Sequence, residues 1–500
     1  MNRSSIEAPT VALSSVLMIL SIAAKKKLQL ATFDIKGAFL HASMKEGEEV
    51  FVRISKEVAK LLVKHDISYE KFLHENGSFV VKLNKFLYGL RQSPRAWYDL
   101  ISAVIMKLGY TKADNDSCLF FKHVGEVSSY ILLHVDDMAV AGTEKVIKEF
   151  YKGLVSEFGN DNVTAYLTGS KFDFLGMRIE TNNDWVKVSQ SAYIENICDI
   201  EEDPELDLSK NFSSPHPSTF AQDRSKDTSA KSDEISYFRR KVMQCMYAAV
   251  RTRPDVLLDI VVLSGRLDNP TKNDLNVLRR ILSYLYSTRH EGLMFRDGKW
   301  DFWAAIDASF NSYENGRGHS GILMFLDWLS AAILAKSLKQ KTVSSSSTQS
   351  ELISLNEGIL HILWIADTLA QLLPGVQIYP IKIFNDNQPM ITLVKQPVVN
   401  RQGRSKFMSR ALFKANEHLE AGEIILLYEN TESLVADFLT KAVHGSKFKT
   451  FKAKIMGLEN DTEKVVHLNE FKGGTDEALK FFVRGEKLGK LQISWLECSY

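Results

Sequence analysis

The hydrophobic pattern changes period several times along the chain, and the changes mark out its elements. The run VALSSVLMILSIAA (11–24) is apolar all round and predicts a buried helix capped by Thr10. Strand-like pieces follow at LQLATFD (28–34) and around EEVFVRI (48–54), then a helix over 93–110 with Pro94 in its first turn. SCLFFKHV (117–124), SSYILLHV (128–135) and MAVAG (138–142) read as strands, 144–158 as a helix, and 172–188 as a short strand pair. Residues 201–235 turn acidic and then rich in Ser, Lys and Asp, the composition of a linker or exposed loop. Helical periodicity resumes over 236–296. From 301 to 445 strands and helices alternate again: DFWAAID, HSGILMFLD, a long helix over 349–373, IKIFN, a helix over 404–421, EIILLYE and a last helix over 432–442. Residues 446–500 follow no single pattern.

Length and composition narrow this picture. Five hundred residues suggest about three domains. With 45% hydrophobic and 25% charged residues, the chain has the balance of a globular protein with well-formed cores. A net charge of +1 announces no global affinity for nucleic acid. Any such affinity must come from local patches: Lys25-Lys26-Lys27, Arg401/Arg404/Lys406, or Lys447/Lys449/Lys452/Lys454. Each of these is equally what a solvated face looks like. Cys118, Cys198, Cys245 and Cys498 are far apart, which argues against a zinc site or a disulfide framework and fits a reducing compartment. The run 11–24 is too short to span a bilayer and makes a poor signal peptide, so neither a membrane nor secretion is expected.

Chemistry enters at YILLHVDDMAVAG (130–142), where Asp136 and Asp137 sit side by side between apolar strands. Burying adjacent acids without a cation is costly. Hard carboxylate oxygens suit Mg²⁺ or Mn²⁺, and a two-metal phosphoryl-transfer site needs a further carboxylate from another strand. Asp34, ending LQLATFD, is the candidate. An Asp-Asp pair alone is also common in surface turns.

Four segments make the pair specific: FDIKGAFLH (33–41), LNKFLYGLRQSPRAWYD (83–99), LLHVDDMAVAG (132–142) and FLGMRIE (174–180). In this order they resemble the reverse-transcriptase palm of copia-type LTR retrotransposons, whose usual forms are similar to DVKTAFLNG, LYGLKQAPRAWY, YVDDIL and FLGI. The resemblance covers about residues 8–200. It implies that Asp34 and Asp136 are the principal metal ligands, with Asp137 the adjacent acid. It also implies that Phe39 is either a steric gate against a ribose 2′-hydroxyl or a core residue. Gly89, Gln92, Ser93 and Pro94 would shape the template and nucleotide pocket. Arg91 and Arg95 would meet phosphates or lie exposed, and Gly176 would belong to the hairpin that grips the primer. Two departures stand out: His134 replaces the family's Tyr or Phe, and the chain begins at the palm lead-in, so an N-terminally truncated polymerase with incomplete fingers is expected.

The second α/β unit carries four more acids in order: Asp307 ends AAID, Glu351 opens the long helix, Asp386 follows IKIFN, and Asp437 lies in ESLVADFLTKAV. These segments resemble the copia-type ribonuclease H domain, with forms like DADWAG, SSTEAEY, DNQSAI and IADIFTK. The resemblance implies hydrolysis of the RNA strand of an RNA–DNA hybrid by two metals bridged by carboxylates. His444 falls after Asp437 and receives no role. The stretch 236–296 resembles the family's connection, where Tyr247, Tyr284 and Tyr286 would stack on bases or pack as ordinary helix aromatics.

The resulting expectation is an α+β or α/β chain: a palm and thumb region with partial fingers (1–200), a linker and helical connection (201–300), a ribonuclease H-like domain (301–445) and a tail (446–500). Its function would be an RNA-directed DNA polymerase with ribonuclease H, using two Mg²⁺ or Mn²⁺ ions per site. It would act on an RNA template, a DNA primer, deoxynucleotide triphosphates and the RNA–DNA hybrid, beside integrase and other polyprotein products. The expected place is a cytoplasmic virus-like particle, with passage to the nucleus. The alternative is a catalytically impaired remnant that binds nucleic acid or keeps only the nuclease.

Overall fold

A computed structural model describes residues 7–44, 47, 49–166, 171–217, 228–396 and 406–458. Arg401 and Arg404 of the second basic patch, Cys498 and the tail beyond 458 lie outside what it describes. Helix α1 (Leu13–Lys26) is buried along nearly its whole length, as an all-apolar helix must be. Thr10 does not cap it. Ala12 is the N-cap, and Asp116, distant in sequence, accepts the Ala12 N–H at 2.9 Å and the Ser15 hydroxyl at 2.6 Å. A carboxylate there satisfies open amides and complements the helix dipole, a partner no local pattern could reveal.

Strand β1 (Gln29–Ile35) is followed by β2 (Phe51–Ile54), helix α2 (Lys56–His65) and β3 (Phe79–Lys82), with β2 and β3 paired apart from the main sheet. Helix α3 (Ser93–Lys107), strands β4 (Thr111–Lys112), β5 (Leu119–Val124), β6 (Val127–His134) and β7 (Asp137–Gly142), helix α4 (Glu144–Phe158) and strand β8 (Val163–Tyr166) complete the first unit. Its sheet runs β4-β5-β6-β7-β1-β8, so β1 is inserted between the hairpin strand β7 and β8. That insertion makes Asp34 the cross-strand partner of Asp137.

The expected strand pair near 172–188 is part of a larger sheet. Strands β9 (Lys171–Phe174), β10 (Met177–Thr181) and β11 (Trp185–Ser189) are joined, after α5 (Ser191–Ile197), α6 (Ser232–Arg251), α7 (Leu257–Ser264) and α8 (Lys272–Ser287), by β12 (Gly292–Arg296). Residues 292–296 are therefore strand, not helix. Gly292 permits the pairing, because a Cβ there would lie 2.1 Å from the Val188 carbonyl oxygen.

The acidic run after 200 is docked and not a free linker. Asp203 and Glu205 pair with Arg279 of α8, and Leu206 is buried. His216 is buried as well, its Nε2 donating to the Val443 carbonyl and its Nδ1 3.4 Å from Asp259 Oδ2.

The last unit contains β13 (Trp303–Ser309), β14 (Arg317–Phe325), β15 (Leu334–Val343), α9 (Ser347–Leu372), β16 (Ile381–Asn385), α10 (Gln388–Lys395), α11 (Lys406–Glu420), β17 (Ile424–Tyr428) and α12 (Gly445–Met456). Its sheet order is β15-β14-β13-β16-β17, antiparallel across the first three strands and parallel from β13 through β16 to β17. Strand β15 was hidden by its lysines. The last helix expected over 432–442 is a 3₁₀ turn, Val435–Leu439. This turn presses so closely on β14 that a Cβ on Gly321 would come within 2.9 Å of the Ala436 carbonyl. The opening of the unpatterned tail is α12, whose apolar residues are buried.

One hydrophobic core runs from α1 and the first sheet through to α9 and β13. Polar bonds cross the same boundary. Lys25 pairs with Asp327 at 2.7 Å, both almost fully buried, and the Tyr130 hydroxyl donates to the Leu372 carbonyl at 2.8 Å. Helix α9 alone among the described residues is long and apolar enough to cross a membrane, and here it packs on β13, β14 and α11.

The docked loop places a buried histidine where its protonation is coupled to folding. Burial opposes charging of His216, but Asp259 and the Val443 carbonyl outweigh it and raise the pKa. Arg280 and the His444 ring, 4.7 Å away, also face it. A raised histidine pKa adds stability that is full below the unfolded value, about 6.5, and lost as pH rises through the folded value. Hydrogen exchange over 211–217 should therefore quicken, beyond the intrinsic base-catalysed rate, as pH rises from about 6 to 8. His216→Gln should remove that pH dependence.

Candidate active sites

Asp34 reaches the first site from near the end of strand β1, between β7 and the edge strand β8, and Asp136 from the tight turn between β6 and β7. The turn is strained. Val135, a β-branched residue, has φ +58°, a conformation that costs of order 1–3 kcal/mol unless its surroundings impose it. The fully buried Trp97 on α3 holds it there, its indole N–H donating to the Val135 carbonyl at 2.7 Å. The indole is itself flanked by the rings of Phe158 and His41.

The electrostatics are those of crowded acids. Burial and the Asp136 charge raise the pKa of Asp34; burial, then Asp136 and Asp34, raise that of Asp137. Burial, with help from Arg251, keeps His134 below its ordinary value against the pull of Asp137 and Asp136. Beside the acids, the buried Phe39 ring lies 4.5 Å from Tyr88, whose hydroxyl is pushed up by burial and by Asp136 and Asp34.

Gly89 takes φ +94°, which favours glycine. Ser93 closes the following turn by donating to the Leu87 carbonyl at 2.6 Å, while Gln92 caps α3 and Pro94 occupies its first turn. Arg91 is exposed, and Arg95 is tied to Asp99 at 2.9 Å. Gly176 sits in the β9–β10 turn with φ +71°, after Leu175 at +52°. Tyr247 of α6 donates to the Leu175 carbonyl at 3.2 Å.

The second site is tighter. Oxygens of Asp307, Asp386 and Asp437 lie within 4.8 Å of one another, the only such group among the described residues. Asp307 is fully buried on β13, and its Oδ1 has no hydrogen-bond partner. Its other oxygen accepts from Thr440. Burial, opposed by Lys441 and reinforced by Asp437, lifts Asp307 to about 6. Glu351 stands behind the trio. Asn385 donates to its Oε2 at 3.0 Å, and burial together with Asp307 raises it well above the carboxylate range.

Asp386 accepts from Thr431 at 2.6 Å. Asp437 pairs with Lys441 at 2.7 Å and Lys447 at 3.4 Å, and Lys441 also reaches Asp307 at 3.5 Å. Hard donors around a partnerless buried oxygen, already sharing a lysine ammonium, fit a divalent cation. The palm trio is more open, with Asp137 exposed.

Sequence reasoning brought the seven acids to two places but missed the side chains that hold them. Trp97 lay within the quoted PRAWY segment, and Thr440 and Lys441 within FLTKAV, so the signal was present without a local reason to use it. Tyr88 within LYGL and Asn385 at the end of IKIFN were likewise inside quoted segments without a local reason to single them out.

Residues 2–211 match the family described as "Reverse transcriptase (RNA-dependent DNA polymerase)". The chain is 28% identical over 464 residues to "Retrovirus-related Pol polyprotein from transposon TNT 1-94" of Nicotiana tabacum, covering 91% of this chain and 32% of that protein. It is 25% identical over 454 residues to the corresponding protein of transposon RE1 of Arabidopsis thaliana, covering 89% and 29%. The chain thus spans about a third of the length of these relatives. Among solved structures, the foamy viral protease-reverse transcriptase in complex with dsDNA aligns with 80% of this chain and 68% of that one, at 14% identity and TM-score 0.20.

Trp97→Phe keeps the packing but removes the donor to Val135. The expected loss is about 1–3 kcal/mol of stability, read by chemical denaturation, with Asp136 held less firmly.

Proposed function

We propose that this chain, related along nine-tenths of its length to copia-type retrotransposon Pol polyproteins, copies an RNA template into DNA and then removes the RNA. The observation that carries this reading is the presence in one chain of two acid clusters, Asp34/Asp136/Asp137 and Asp307/Asp386/Asp437, each on the fold its motifs imply. When bound, a pair of Mg²⁺ or Mn²⁺ ions at each centre supplies activation of the attacking oxygen and neutralises the leaving group.

The rest falls to the chain's own residues. Asp34 and Asp136 offer the hard oxygens of the polymerase centre, with Asp137 adjoining them. Phe39, backed by Tyr88, walls off a ribose 2′-hydroxyl. Gly89, Arg91, Gln92, Ser93 and Pro94 form the turn that receives template and nucleotide, and Gly176 belongs to the turn beneath the primer end. In the nuclease centre Asp307, Asp386 and Asp437 converge, and Glu351 completes the donor set from α9. The substrates on this reading are template RNA, primer DNA, deoxynucleotide triphosphates and the hybrid, used inside a cytoplasmic particle alongside integrase and other Pol products.

The greater openness of the palm trio favours, as a second reading, a remnant that keeps the nuclease alone. Extension of oligo(dT) on poly(rA) in Mg²⁺, abolished by Asp136→Asn, is the expected result for the full enzyme. Hybrid cleavage should be lost on Asp386→Asn while extension persists. Cleavage without extension would establish the nuclease-only remnant. A folded chain that does neither in Mg²⁺ or Mn²⁺ would overturn both readings.

A further inference from the structure

Strands β14 and β15 carry no acidic residue, yet they bury four polar side chains: His319, Ser320, Ser337 and Gln340. A buried polar group is costly unless it is bonded, and following each bond leads to an acid of the second cluster. His319 and Ser320 are neighbours on β14, so they face opposite sides of the sheet.

On one side His319 Nε2 lies 2.6 Å from Ser337 Oγ, and its Nδ1 lies 2.7 Å from the Tyr313 hydroxyl. Ser337 donates onward to the Leu439 carbonyl at 2.8 Å. A carbonyl can only accept, so every proton in the chain has one direction. Tyr313 donates to Nδ1, and Nε2–H donates to Ser337. Burial, then the Lys339 charge, push the His319 pKa down to about 4, which keeps the ring neutral with its single proton on Nε2. Leu439 closes the 3₁₀ turn that carries Asp437.

On the other side Gln340 donates to Ser320 Oγ at 3.1 Å and to the Ser350 carbonyl at 2.9 Å, and accepts from the Ser350 hydroxyl at 3.0 Å. Ser350 immediately precedes Glu351 in the first turn of α9. A glycine makes room on each face. A Cβ on Gly318 would fall 2.5 Å from Ser350 Oγ, and Gly321 admits the Asp437 turn as described above. RGHSG (317–321) therefore spends its two glycines and two polar residues on the same two destinations.

We propose that His319–Ser337 and Ser320–Gln340 are positioning pairs, each fixing the backbone that aims one acid of the nuclease centre, Asp437 in the first case and Glu351 in the second. The inference rests on the nuclease reading. These side chains act through main-chain carbonyls. The turn bearing Asp437 is short, and Ser337 supplies the side-chain donor to its last buried carbonyl.

The test is Mn²⁺ binding measured by calorimetry, in the full chain carrying Asp34→Asn and Asp136→Asn so that the palm acids do not report. Removing partners that orient metal ligands typically weakens the metal by about 10–100-fold. Ser337→Ala and Gln340→Met should each weaken Mn²⁺ by about tenfold or more, with hybrid binding in EDTA unchanged. His319→Gln, whose amide N–H can still donate to Ser337, should stay within about threefold of the parent. Parent-like Mn²⁺ affinity in both Ser337→Ala and Gln340→Met, even with lowered stability to denaturant, would overturn the inference and leave the nuclease reading intact. So would an equal loss of hybrid affinity in EDTA, or a loss in His319→Gln as large as in Ser337→Ala. A parent chain that binds no Mn²⁺ would overturn both.

Discussion

Repulsion between carboxylates held close together is the constraint that shapes both halves of this chain. An acid cluster gains nothing for folding and costs more the deeper it lies. Such groups stay together only where the backbone is fixed by other interactions. In the first half the fixing elements are strand β1, paired on both sides, which puts Asp34 opposite Asp137, and the Trp97 bond that holds Val135 in its left-handed turn. In the second half Asp307, on a fully buried strand, is surrounded by Thr440, Lys441 and the Asn385–Glu351 pair. The two solutions differ in where the compensating charge comes from. Lys441 and Lys447 reach into the Asp307 cluster, while Asp34, Asp136 and Asp137 have no lysine or arginine partner among the described residues.

Both clusters draw rigidity from the same interior. The apolar residues of α1, β1 and β7 belong to one core with those of α9 and β13. The Lys25–Asp327 pair is buried at the join, where separating either partner would leave an isolated charge out of water. A second buried network, Arg253 with Asp255, Tyr284 and Lys452, ties the connection helices to α12. The helical connection is thus packed into the structure at both ends, with β12 closing the sheet begun by β9.

The sequence carried the elements whose apolar period was long and local, α1, α3, α4 and α9, together with the strands around the acids. It named the seven acids as well, though Asp437 lies in a short 3₁₀ turn and not in the helix its segment suggested. What it could not carry were contacts made across the chain. Asp116 capping α1 lies far from Thr10 in sequence, and β12 pairs with β11 only after four helices have intervened. β15 was masked because its lysines use long stems on a half-exposed face, where alternation of charge hides alternation of burial. The turn at 435–439 fell short of a helix because Gly321 brings β14 too close to leave space for one. The side chains that position the acids share this non-local origin: Trp97 acts on Val135 and Asn385 on Glu351 through space.

The continuous core also bears on how such a chain can be divided. Proteins that join two activities are often treated as cassettes that can be cut, swapped or expressed alone. Here a cut anywhere between residues 201 and 300 would not separate two finished bodies. The downstream piece would expose the end of α9 that meets Tyr130 of β6 and the face of β12 that α1 now covers, and the upstream piece would lose the wall behind Tyr130 and Lys25. Selection acting on either acid cluster therefore constrains residues that support the other, and the two halves are expected to drift together as a unit of inheritance.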